Sequence, residues 1–242
     1  MVLIFDMDGV LVDNHIWHFE AWREFGRKHG LNITGEEFAK YFGSTNKQVI
    51  VSLFGNLLSD GEISAFGNQK EEIYRKMYRP FIKAVDGLLG FLQYVAGQGI
   101  PIALATSAPP ENVEFTLQAT GLKKYFGVIT DSSMVSRGKP DPQVYLVTAN
   151  KLGVHPAECI VFEDSFAGIK SALNAGMRVI AVATTHKSNE LLMYSNEIIM
   201  NFEASKEVGL EAGKSLKQIG NANEKTNYFS PEHYFNLYGS AR

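Results

Sequence analysis

Short apolar runs that end in polar residues recur along this chain, separated by stretches with helical spacing. Val2-Leu3-Ile4-Phe5 is the first, closed by two acids and Gly9. Ile100 to Ala105, Gly127 to Thr130, Cys159 to Phe162 and Arg178 to Val182 repeat the type. Runs that are apolar nearly throughout suit strands covered on both faces. Between them, Leu88 to Ala96, Asn112 to Thr120, Pro142 to Leu152 and Ala167 to Ala175 read as helices, with Gly176 as a left-handed cap after the last. Strand alternating with helix predicts an α/β fold with a parallel sheet and right-handed crossovers. Ligands of such sheets bind at the carboxyl ends of the strands.

Residues 14–85 break the alternation. Phe19 to His29, Gly35 to Phe42, Lys47 to Leu57 and Gln69 to Phe81 look helical, with no strand-like run between them. They predict a helical domain inserted after the first strand, with Asp13 capping its first helix. The chain would cross at Val12-Asp13-Asn14 and at Ala84-Val85-Asp86-Gly87, which together form a hinge. The expected division is an α/β core of residues 1–13 and 86–204, a helical domain of 14–85 and a helical tail of 205–242. In the tail, Glu203 to Ile219 reads as one helix, and Ser230-Pro231 starts another.

Composition narrows the function classes. Of 242 residues, 45% are hydrophobic and 20% charged, as a packed core requires. A net charge of -3 without a basic stripe gives no case for nucleic acid. No apolar stretch is long enough for a bilayer, so no membrane partner is expected. The single cysteine, Cys159, sits in an apolar run and reads as a small buried hydrophobe. It can form neither an internal disulfide nor a zinc cluster. The first residues lack a basic leader, so a cytoplasmic protein is expected. The expected assembly is a monomer or weak oligomer.

Four strand ends carry chemistry. Asp6-Met7-Asp8-Gly9 lets two carboxylates face one site, one to attack phosphorus and one to move a proton. Alone, this stretch reads first as an Asx turn. Glu163-Asp164-Ser165 sets adjacent carboxylates at a strand end, a donor set for a hard cation, with Ser165 free to cap the next helix. Thr106-Ser107 offers a hydroxyl and the N–H groups of a turn to phosphoryl oxygens. Lys139, in Gly138-Lys139-Pro140-Asp141-Pro142, is either a fixed point charge for a phosphate or a solvated surface lysine.

Taken together, Asp6-x-Asp8-Gly9-Val10-Leu11-x-Asp13, Thr106, Lys139-Pro140 and Glu163-Asp164-Ser165-x-x-Gly168 resemble the four motifs of the haloacid dehalogenase superfamily. The resemblance covers about residues 1 to 200. The position of the insert and the stretch His18-Phe19-x-Ala21-Trp22 are similar to the β-phosphoglucomutase-like subgroup. That resemblance implies a Rossmann-like core with an all-α, C1-type cap domain. It also implies a phosphatase acting on a small phosphorylated metabolite, a sugar phosphate for example, through an aspartyl-phosphate.

By the same resemblance Asp6 is the nucleophile and Asp8 the general acid/base, while Thr106 and Lys139 stabilise phosphoryl charge. Mg2+ is held by Asp6, the backbone carbonyl of Asp8, Asp164 and Glu163. Gly9, Ser107 and Ala108 contact the substrate from the core. His18, Trp22, Gly43 and Lys70 contact it from the cap domain. His18 also reads as a structural histidine among aromatics, and those aromatics read as core, with Trp22 one turn from His18. Where the mutase has an arginine for a second phosphate, the stretch Gly43-Ser44-Thr45-Asn46-Lys47 presents Asn46. This favours the phosphatase over the alternative, a β-phosphoglucomutase. A catalytically silent phosphometabolite-binding protein would require a broken motif, and all four are intact.

Overall fold

The computed structural model describes residues 1–41, 45–55 and 58–203. Gly43 and the predicted tail helices lie outside them. Strands β1 (Val2–Phe5), β2 (Ile102–Ala105), β3 (Val128–Thr130), β4 (Cys159–Glu163), β5 (Arg178–Val182) and β6 (Ile198–Ile199) form one sheet. Its order is β3-β2-β1-β4-β5-β6 and every pair is parallel. The chain fills one side of β1 with β2 and β3, then returns to the other side with β4. The carboxyl ends of β1 and β4 therefore lie at the topological switch point, where open sheets leave a crevice. Phe5 pairs with Phe162, so Asp6 and Glu163 leave the sheet side by side.

Side-chain alternation divides the core between the two faces. Leu3, Phe5 and Phe162 pack with Phe91, Leu92 and Val95 of α5 (Leu88–Gly97) on one face. Val2, Ile4 and Val161 pack with α7 (Gln143–Leu152) and α8 (Phe166–Asn174) on the other. Phe5 and Phe162 stack with ring centroids 4.6 Å apart, directly beneath the first and fourth motifs. Truncating a buried phenylalanine of this kind costs about 3–5 kcal/mol.

Between β1 and α5 lie α1 (His15–Lys28), α2 (Gly35–Lys40), α3 (Asn46–Phe54) and α4 (Asp60–Tyr78). They gather around their own apolar cluster, in which Trp22, Phe25, Ile50 and Tyr74 are buried. The two chain crossings are tied to each other. Val12 forms an antiparallel bridge with Ala84, and Val85 N–H donates to Leu11 O at 2.9 Å. The second crossing is fastened to the core, because Phe202 N–H donates to Asp86 O.

The structure corrects several boundaries. Helix α4 runs from Asp60 to Tyr78 rather than from Gln69 to Phe81, because Ser59 and Glu62 form a capping box at its start. Helix α1 starts at His15, and its N-cap is Asn14 rather than Asp13; the Asn14 side chain makes no cap bond and donates to Asp8 and Tyr74 instead. Strand β2 begins at Ile102, since Pro101 has no N–H to give the ladder and contributes only its carbonyl, to Leu3 N–H. The short β6 and α9 (Ser188–Leu191) carry too few residues for a periodic signal.

Candidate active site

Asp6 continues the pairing of β1, with its N–H donating to Phe162 O at 3.0 Å, and its side chain is buried. The chain then turns sharply, Gly9 N–H reaching Val12 O at 2.8 Å with Gly9 at φ +77°. A Cβ on Gly9 would collide with the Asp164 carboxylate. Glycine therefore serves twice, permitting the turn and admitting the carboxylate from β4.

Lys139 is not a surface lysine. Its Nζ lies 2.6 Å from Asp6 Oδ1 and 2.5 Å from Glu163 Oε1, with only 7% of the side chain exposed. Glu163 is fully buried and fully engaged. Oε1 accepts from Lys139 and from the Tyr145 hydroxyl at 2.9 Å. Oε2 accepts from Asp164 N–H, Ser165 N–H and the Ser165 hydroxyl. Gly168 makes room for this carboxylate, which a Cβ there would strike. Ser165 also caps α8 by accepting from Gly168 N–H at 3.1 Å.

Burial sets the protonation of the acids. Asp6 is pushed up to about 7, chiefly by burial; Lys139 pulls it back, and Glu163 and Asp8 push it up again. Asp164 is raised by burial first and then by the charges of Glu163 and Asp6. Glu163 stays low: burial acts upward, but Lys139 and the hydrogen bonds outweigh it. Lys139 remains charged, since Asp6 and Glu163 outweigh its own desolvation.

One oxygen from each of Asp6, Glu163 and Asp164 lies within 4.8 Å of the others. The Asp164 carboxylate is buried, faces the Thr185 hydroxyl and has no ion-pair partner among the described residues. A buried carboxylate so placed is costly without a cation, and an all-oxygen donor set suits a hard one. The residues therefore fit a hard cation: Asp164 faces a hydroxyl, Asp6 gives only Oδ1 to Lys139, and Glu163 is already engaged by Lys139, Tyr145 and backbone N–H groups.

Above these residues is a cavity of about 420 Å3. Thr106, at the end of β2, reaches it, and its Oγ1 accepts from Ala108 N–H at 3.0 Å. That N–H is thus used within the turn, and the hydroxyl proton is what Thr106 can offer. Ser107, Ala108 and Gly9 also line the cavity. From the insert, His18, Trp22 and Lys70 enter it. His18 Nδ1 is 2.8 Å from Lys70 Nζ, and its ring stacks on Tyr74. Trp22 is buried beneath Lys70, whose Nζ lies 5.3 Å from the ring centroid. Trp22 is therefore both core and cavity wall.

The haloacid dehalogenase-like hydrolase family model matches residues 3–182. The chain belongs to that family. It is an enzyme, and the family fold is the one described above. Hexitol phosphatase A of Escherichia coli (strain K12) is 36% identical over 203 residues, covering 81% of this chain and 91% of that protein. The phosphorylated carbohydrates phosphatase of Thermotoga maritima is 30% identical over 199 residues, covering 82% and 92%. The crystal structure of β-phosphoglucomutase from Clostridium difficile superposes with a TM-score of 0.73 at 25% identity, covering 83% of this chain and 91% of that one.

Other cavity residues had no signal of their own in the sequence. Asn14 donates to Asp8 Oδ1 at 2.6 Å, although it read only as part of the hinge. Glu71 and Asn112 are buried, lie 2.7 Å apart and line the cavity. Their partners are remote in sequence, so no local pattern marks them; for Glu71 the one available hint was its place next to Lys70. Among the described residues, no helix is long and apolar enough to cross a membrane.

Proposed function

We propose that this enzyme is a Mg2+-dependent phosphatase of a small phosphorylated metabolite. Asp6 is its nucleophile and Asp8 its general acid/base. The observation that carries the reading is Lys139, buried between Asp6 and Glu163 at the switch point of the sheet. A lysine fixed on a strand-end carboxylate suits charge stabilisation in phosphoryl transfer.

An oxygen of Asp6 attacks phosphorus and forms an aspartyl-phosphate as the substrate's ester oxygen leaves. Asp8 gives that oxygen its proton. Asp8 then takes a proton from water, whose oxygen attacks the same phosphorus, restoring Asp6 and releasing inorganic phosphate. Proton transfer of this kind contributes about 10²–10⁴-fold. Lys139 and the Thr106 hydroxyl stabilise the equatorial oxygens. Asp6, Asp164 and the backbone carbonyl of Asp8 would hold Mg2+, which supplies positive charge that keeps Asp6 ionised beside an anionic phosphate. Glu163 positions Lys139. The insert, residues 14–85, acts as a cap that excludes water from the cleft and sets the substrate; His18, Trp22 and Lys70 belong to that wall.

Asn46 favours hydrolysis over the mutase alternative. It is the first residue of α3 and its amide donates to Glu71 at 2.8 Å, so it is no anion grip. The phosphatases among the relatives agree with this choice. The test is release of phosphate from sugar and polyol monophosphates with Mg2+. Asp6→Asn should abolish release while leaving the circular dichroism spectrum and thermal midpoint near wild type. Turnover at the wild-type rate in that variant would remove Asp6 as nucleophile. Rapid conversion of β-glucose 1-phosphate to glucose 6-phosphate without free phosphate would favour the mutase.

A further inference from the structure

We infer that Glu71 makes the insert's end of the cleft charge-neutral, so that the substrate carries one phosphate and an uncharged, hydroxyl-bearing remainder. The inference rests on the phosphatase reading and names the substrate class of the same site.

Three lysines line the cavity among the described residues, and each is paired with a carboxylate. Lys139 is held by Asp6 and Glu163 at the reaction centre. Lys47 is held by Asp60 at 2.8 Å in an exposed pair. Lys70 is the buried cation of the insert, 2% exposed, with Glu71 Oε1 2.8 Å from its Nζ. A lysine in that position could grip a second anionic group if its charge were free. Glu71 cancels it at contact distance.

Glu71 is fixed from both sides. Its Oε1 also accepts from Asn46 of α3, and its Oε2 accepts from Asn112 of α6 (Pro110–Thr120) at 2.7 Å. Arg75 in turn donates to Asn112 Oδ1 at 2.7 Å. The carboxylate cannot swing away from Lys70 without breaking bonds to both the insert and the core. Burial acts to raise the Glu71 carboxyl, but Lys70, His18 and these hydrogen bonds outweigh it and hold it at about 2, so it is ionised at neutral pH. A second phosphate or a carboxylate brought to Lys70 would meet a like charge directly behind the cation. Hydroxyl groups meet no such penalty. They can accept from the Lys70 ammonium and exchange hydrogen bonds with His18 and Asn46, which line the same wall.

A matched pair of substrates tests this. Glucitol 6-phosphate and 6-phosphogluconate share a carbon chain and differ in an uncharged or anionic far end. For the wild-type enzyme with Mg2+, kcat/KM should favour glucitol 6-phosphate at least tenfold, mainly through KM. In Glu71→Gln the preference should shrink at least tenfold, through a lower KM for 6-phosphogluconate. A wild-type enzyme that takes both equally well overturns the inference, whether or not the variant folds. So does a folded variant with an unchanged preference. If neither compound nor p-nitrophenyl phosphate is hydrolysed, the phosphatase reading fails instead.

Discussion

The side-chain amide of Asn14 donates to Asp8 Oδ1 at 2.6 Å and to the Tyr74 hydroxyl at 2.7 Å. Asn14 is where the chain enters the helical insert, and Tyr74 belongs to the last helix of that insert. The proposed acid/base is therefore oriented by the insert rather than by the strand that carries it. A hydrogen bond to a charged group contributes about 1.5–3 kcal/mol. Asn14→Ala should lower kcat about 10–100-fold with little change in KM. Steady-state kinetics on the best monophosphate substrate checks this. A rise in KM at constant kcat would mean that Asn14 shapes the cleft and does not orient Asp8.

Lys139 gives a second expectation. Removing it leaves two buried carboxylates, Asp6 and Glu163, facing each other. Breaking a buried pair by deleting one partner typically costs about 3–5 kcal/mol. Lys139→Ala should lose activity by about 10²–10³-fold, comparable to removal of a charge-stabilising group elsewhere. Its metal-free form should also melt well below wild type. Denaturant or thermal unfolding in EDTA separates this from a purely catalytic loss. An unchanged unfolding midpoint would show that Lys139 is dispensable to the ground-state charge balance.

How much of this was visible in the sequence follows from whether the signal is local. The five long strands and the four motifs each consist of an apolar run and the polar residues next to it, so a short window contains them. The capping box of Ser59 and Glu62 was equally local and marked the true start of α4. The polar residues that follow it, with Gly61 among them, dilute the apolar spacing on which the shorter helix was drawn. Glu71, Asn112 and Asn14 are different. Each is a polar residue whose burial is made tolerable by partners elsewhere in the chain, as Glu71 with Asn46 and Asn112. Nothing within a turn of helix distinguishes such a residue from one that faces water. Lys139 lies between these cases. The prolines beside it marked a restrained loop, and only the fold decided between the carboxylates and solvent.

The acids of the site predict an unusual pH dependence. An aspartate raised from 3.8 to about 7 keeps its proton in the folded protein after the unfolded chain has lost it. Between those values the unfolded state binds fewer protons, so stability falls as pH rises. Asp164, raised by burial, acts in the same direction. Glu163 and Glu71 are lowered, so their contribution is already complete above about pH 4.5 and does not change across this window. His15 and His186 are lowered by burial and act the other way below about 6.5, so the acids are read against a variant: between pH 5 and pH 7.5 the metal-free wild type should lose more Tm than metal-free Asp6→Asn. Mg2+ competes with those protons, so it should raise Tm more at pH 7.5 than at pH 5. Thermal melts with EDTA or Mg2+ at the two pH values test both signs. An equal shift by Mg2+ at both would separate the metal from Asp6 and Asp164.

Gly168 offers a test of how the second carboxylate is held. It lies in the first turn of α8, where alanine is intrinsically the better helix former by about 0.8–1 kcal/mol. On helix propensity alone Gly168→Ala should stabilise the protein. A Cβ at this position, however, would strike the Glu163 carboxylate, which is tied by Lys139, Tyr145 and the N–H groups of Asp164 and Ser165. The carboxylate would have to give up some of those bonds, and Lys139 would lose Glu163, the partner that holds it against Asp6. Gly168→Ala should thus lower stability by about 1–3 kcal/mol, the cost of stranding buried polar groups, and lower kcat through the displaced Lys139. The double variant Gly168→Ala with Glu163→Ala relieves the clash. It should be no less stable than Glu163→Ala alone, because the alanine then meets no carboxylate, and it should not recover activity. Chemical denaturation together with kcat for the three variants reads both effects, and a single Gly168→Ala variant as stable and active as wild type would remove Glu163 as the group that positions Lys139.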